Sequence, residues 1–124
     1  MNFGYMDTYL YAEQDLLRLN VDEAVERMGD KETYLEISHY FAAHLPDSIT
    51  RLRDALDSGD MPAATRMAHS LKSNCATVGA ESLRERCYAL EKLCRGGEVI
   101  MARELFAGLE SHLLAMRERL EALD

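Results

Sequence analysis

The sequence predicts an all-α protein: an antiparallel four-helix bundle with a short additional N-terminal helix. Three observations lead there. Apolar residues recur three and four apart along almost the whole chain, which is the period of a helix with one buried face. No stretch alternates apolar and polar residues over a useful length, and no Asn-Gly or Asp-Gly pair signals a hairpin. Only two prolines and seven glycines occur in 124 residues, so long stretches can stay regular.

Taken in order, residues 1–18 form an N-terminal arm and residues 19–124 the bundle domain. The arm's Tyr5, Tyr9 and Tyr11 suit either packing on the bundle or contact with a partner or second copy, and the sequence leaves both open. NVDEAVERMGD reads as the short helix, with Asp22 as a possible N-cap and Gly29 as its stop. From Lys31 to about Asp57 the stripe is Tyr34, Ile37, Phe41, Leu45, Ile49, Leu52 and Leu56. Pro46 removes one backbone donor inside this run. The stripe keeps its phase across it, which predicts one kinked helix rather than two.

Asp57 to Asp60 form a turn, and Asp60 is a good N-cap for a helix from Met61 to about Val78. Gly79 breaks that helix with a permissive backbone. A fourth helix from about Ala80 to Cys94 places Leu83, Cys87, Leu90 and Cys94 on one face. After Arg95-Gly96-Gly97, a last helix from about Glu98 to Ala122 carries Ala102, Leu105, Leu109, Leu113, Met116 and Leu120. Four amphipathic helices on short turns bury their stripes against one another.

Composition narrows the function. The formal net charge of -8 disfavours nucleic acid and anionic lipid as partners. Three cysteines give no disulfide framework and fit a reducing compartment. No apolar run approaches the ~18 residues of a membrane span. The first residues lack the basic leader and apolar block of a signal peptide. A soluble, cytoplasmic monomer is expected, and Met1 favours a free-standing protein over a domain cut from a larger one.

The chemistry concentrates in AHSLKSNCATVGA, Ala68 to Ala80. Ala64, Met67, Ala68, Leu71, Cys75 and Val78 fall on one contiguous arc, the core stripe of this helix. His69 projects from the opposite side, so it is not a core histidine. Thr65 and Arg66 lie one turn back, Lys72 and Ser73 one turn on, and Pro62 and Ala76 two turns away. Small side chains flank the imidazole and the nearby charges are positive, in a protein that is acidic overall. That surround admits another protein's backbone and can hold an anion. A neutral imidazole nitrogen is a good nucleophile near pH 7. The residues alone leave two readings open: an incidental surface histidine, or a carrier of a phosphoryl group. No nucleotide-binding glycine loop or complete catalytic set accompanies it.

The motifs AHSLKS (Ala68 to Ser73), VGA (Val78 to Ala80), Leu83 and CYALE (Cys87 to Glu91) resemble the signature of histidine-containing phosphotransfer domains. So do the Phe41, Leu45-Pro46 and Leu52-to-Leu56 spacing followed by SGD, and VDEAVERMGDKETYLEI at the front. The resemblance runs from about Leu19 to Leu120. It implies that His69 accepts a phosphoryl group from a receiver-domain aspartate of a hybrid sensor kinase and passes it to a response-regulator aspartate. It implies that Lys72 stabilises the phosphoryl charge and that any Mg2+ belongs to the partner, while the small, basic surround of His69 points to Thr65, Arg66, Ser73 and Ala76 as the docking surface. The chain itself would hold no cofactor and would not catalyse transfer alone. Ser73 departs from the glycine often found after the lysine.

Two other classes of protein share some of these features. A non-catalytic helical adaptor would bind or sequester a signalling partner without phosphotransfer. A metal-binding bundle would need polar ligands facing inward, whereas these stripes are almost purely apolar. His39, His44 and His112 share no ligand-like spacing, and His112 borders the last core stripe. Cys75, Cys87 and Cys94 lie on apolar stripes as buried structural thiols.

Overall fold

The computed structural model describes residues 16–124, so Tyr5, Tyr9 and Tyr11 of the arm lie outside the described residues. Five helices and no strand occur among the described residues: α1 (Val21–Met28), α2 (Lys31–Ser58), α3 (Met61–Val78), α4 (Glu81–Arg95) and α5 (Val99–Glu121). The four long helices close into a ring, α2 packing on α3 and α5, and α4 on the same two. The short α1 lies against α2 and touches α3. The predicted bundle with an additional N-terminal helix is therefore the fold. The chain joins the core slightly before residue 19, because Leu16 is already buried there.

Local chemistry sets the ends. The Asp30 carboxylate caps α2 by accepting from the Thr33 backbone N–H at 2.7 Å, and Asp60 does the same for α3 from Ala63 at 3.2 Å. α1 starts two residues earlier than predicted: Asn20 occupies the cap position, and Asp22 sits in the first turn, beside the positive end of the helix dipole. α2 continues unbroken through Pro46.

Its buried face includes Ser38 rather than Ile37, which is 38% exposed. Spacings of 3-4 and 4-3 between Tyr34 and Phe41 are both helical, and the chain takes the second. In the same way Phe106, not Leu105, is fully inserted from α5. The core is otherwise apolar, and its buried polar or charged residues are Ser38 and Glu91.

The last turn of α3 is fastened from upstream. The Asn20 backbone N–H donates to Gly79 O at 2.9 Å, the Tyr34 hydroxyl to Val78 O at 2.7 Å, and the Arg27 guanidinium to Ala76 O at 3.1 Å. Gly79 has φ +86°, and a Cβ there would stand 2.7 Å from Asn20 O. Only glycine accepts both that backbone and that approach.

Candidate functional site

α3 buries Ala63, Ala64, Ala68, Leu71, Cys75 and Val78, so the opposite face turns to solvent. His69 is on that face, with its side chain 57% exposed. Beside it runs α4, whose buried face is Leu83, Cys87, Leu90, Glu91 and Cys94. Four of these are apolar. Glu91, 2% exposed, is the fifth, and it lies beneath the imidazole.

A carboxylate removed from water needs charged or hydrogen-bonding partners around it. Glu91 has three. Its Oε2 lies 3.0 Å from His69 Nδ1 and 2.5 Å from an Arg95 guanidinium nitrogen, and its Oε1 lies 2.8 Å from Lys72 Nζ. Burial alone pushes the Glu91 carboxyl up, but the hydrogen bonds from Lys72, His69 and Arg95, with the Lys72 charge, outweigh it and hold the group at about 2.

The ionised carboxylate can only accept, which assigns the imidazole proton. Neutral His69 donates Nδ1–H to Glu91 and keeps the Nε2 lone pair free. Nδ1 is thereby held against the bundle.

The other predicted positions fall around this centre. Arg66 and Ser73 are exposed, and Thr65 and Ala76 are half-buried. The Thr65 hydroxyl turns back to Met61 O at 2.7 Å. Arg66 also lines an open groove between α2 and α3, with Ser48, Arg51, Ser70 and Asn74. Lys72, 22% exposed, lies on the side towards α4 and leans on the buried carboxylate.

Sequence reasoning missed Glu91 and Arg95. The available signal was an acid four residues after Cys87 and three before Cys94, which places a charge on an apolar stripe. The three cysteines are buried, in keeping with their spacing. The remaining histidines stand apart: His39 Nε2 is 3.0 Å from Leu123 O, His44 stacks on Tyr40, and His112 is half-buried on α5. Among the described residues no group of three or more His, Cys, Asp or Glu could hold a metal ion, and no helix is long and apolar enough to cross a membrane.

The site is thus an exposed imidazole on a helical bundle, with one ring nitrogen held by a buried acid. The chain belongs to the Hpt domain family, whose model matches residues 36–124. It is also similar to a solved structure, histidine-containing phosphotransfer protein B (HptB) from Pseudomonas aeruginosa PAO1. That likeness has a TM-score of 0.72 at 27% identity and covers 82% of this chain and 86% of the other. No curated protein matches the chain. Its function is histidine phosphotransfer in phosphorelays.

Proposed function

We propose that His69 Nε2 is the atom that carries the phosphoryl group. The carrying observation is the 3.0 Å contact between His69 Nδ1 and buried Glu91, which holds that nitrogen against the bundle on a side chain that is otherwise largely exposed. In the forward step Nε2 attacks the phosphorus of a receiver's aspartyl phosphate. The N–P bond forms, the P–O bond to the aspartate breaks, and the carboxylate leaves with that electron pair. No proton moves. The ring becomes cationic while Nδ1–H stays on Glu91, whose negative charge offsets it. Reversal of the same step onto a second receiver aspartate regenerates the neutral ring.

Lys72 supplies the countercharge for the phosphoryl oxygens. It sits one helical turn from His69, so its ammonium can swing from Glu91 to the new anion. Arg66, Thr65, Ser73 and Ala76 line the surface on which the receiver docks. The partners in this reading are receiver domains of a hybrid sensor kinase and of a response regulator, which bring the catalytic aspartate and its Mg2+. The chain acts as a cytoplasmic monomer and an intermediate, without autonomous catalysis.

Incubation with phosphorylated receivers tests the assignment. The wild-type chain should take up label as an acid-labile, base-stable adduct, and His69→Gln should take up none. Labelling of His69→Gln at the wild-type level would refute it.

A further inference from the structure

One aromatic side chain at the site has no part in the transfer described above. Tyr88 is on α4, three residues before Glu91, and its residue surface is 42% exposed. Two ammonium groups stand over its ring: Lys72 Nζ at 4.9 Å from the ring centroid and Lys92 Nζ at 4.6 Å. Both distances fall inside the range of cation–π attraction. Lys72 is thus gripped on two sides, by Glu91 Oε1 at 2.8 Å and by an aromatic face.

We propose that Tyr88 is a positioning residue for phosphotransfer, its ring holding the Lys72 ammonium beside His69 while leaving the lysine's charge available to the phosphoryl group. The inference rests on the roles given above to His69 and Lys72.

The physical case is one of alternatives. A lysine side chain has four flexible bonds and much rotamer freedom, so an unrestrained ammonium spends little time in any one place. A second acid at position 88 would restrain it, but would also neutralise it and repel the arriving phosphoryl oxygens. An aliphatic side chain would cover the stem and leave the charged end loose. An aromatic face attracts a cation without carrying a net charge, and its attraction is broad enough for the ammonium to slide towards a new anion. Lys92, one turn further along α4, uses the same ring and adds a second positive charge to that rim.

The phenolic hydroxyl has no part in this, so the ring and the hydroxyl are separable by substitution. The experiment is single-turnover transfer from a phosphorylated receiver that labels the wild-type chain, run with Tyr88→Phe, Tyr88→Leu, Lys72→Met and the double variant Lys72→Met/Tyr88→Leu. Tyr88→Leu should slow transfer at saturating receiver roughly two- to fivefold, the rate equivalent of one partly exposed cation–π contact. Its half-saturating receiver concentration should stay unchanged, and Tyr88→Phe should transfer at the wild-type rate. The Lys72 ε-methylene proton resonances should be shifted upfield by the ring in the wild type and in Tyr88→Phe, and should lose that shift in Tyr88→Leu. In the Lys72→Met background, Tyr88→Leu should add nothing.

A wild-type rate for Tyr88→Leu, equal slowing by Phe and Leu, or undiminished slowing in the Lys72→Met background would each overturn the proposal while leaving His69 as carrier. A wild-type rate for Lys72→Met would overturn the role of Lys72 and this proposal together. Labelling of His69→Gln would overturn the carrier assignment itself.

Discussion

Replacing Glu91 with glutamine removes one charge and almost no volume from beneath His69. The structure sets the size of the effect. A carboxyl held at about 2 rather than 4.5 prefers its ionised form in the folded protein by roughly 3 kcal/mol. That figure is an upper bound, because the His69 and Arg95 side chains are 57% and 61% exposed and solvent screens their share. Glu91→Gln should therefore lower the stability at pH 7 by about 1–2 kcal/mol.

The sign with pH follows from the depressed value. A carboxyl lowered on folding contributes stability above its unfolded value, near 4.5, and loses it as pH falls through the folded value, near 2. Urea unfolding of the two proteins from pH 7 to pH 3 reads this directly. The difference between them should be constant above about pH 5 and should shrink by more than half by about pH 3. A difference that stays constant down to pH 3, or a glutamine variant more stable at pH 7, would refute the reasoning. The amide oxygen of glutamine can still accept from Nδ1–H, so the imidazole should keep its orientation in this variant.

Two further predictions concern the scaffold. Gly79→Ala meets both a left-handed backbone and the carbonyl of Asn20, whereas a Cβ at Gly59, with φ +75°, has nothing within 4 Å. Gly59→Ala should cost about 1 kcal/mol in urea unfolding and Gly79→Ala more than about 2 kcal/mol, and equal costs would contradict the close approach. The thiols of Cys75, Cys87 and Cys94 should stay unreactive towards a thiol reagent at pH 8 in the folded chain and all three should titrate in urea. The reason is burial, with a Cys87 hydrogen bond and burial together raising the Cys75 thiol; rapid native labelling of any of them would count against the packing of α3 on α4.

The long helices were legible because each is written as a repeat of three and four, and that repeat also turned His69 outward. The repeat could not choose between Ile37 and Ser38, which are adjacent on the helix and both compatible with Tyr34 and Phe41. The packing of α2 in the bundle makes that choice, burying Ser38 and leaving Ile37 at the surface. The outward placement of His69 was legible within one helix, but the groups that surround it were not. Lys72 is read from α3, whereas Glu91, Arg95 and Tyr88 come from α4, and their meeting depends on the packing of two helices. The sequence reading saw two cations near an imidazole, and the structure adds the buried carboxylate that Lys72 and Arg95 share.

The fastening of α3 bears on where this domain begins. The three groups that reach its last turn, from Asn20, Arg27 and Tyr34, all precede residue 36, where the match to the Hpt family starts. A fragment trimmed to that boundary would keep His69, Lys72 and Glu91, yet lose all three of these hydrogen bonds to the end of the histidine helix. The leading segment, from buried Leu16 through α1, is thus a clasp on the helix that carries His69, and it lies outside the span that the family's signature covers.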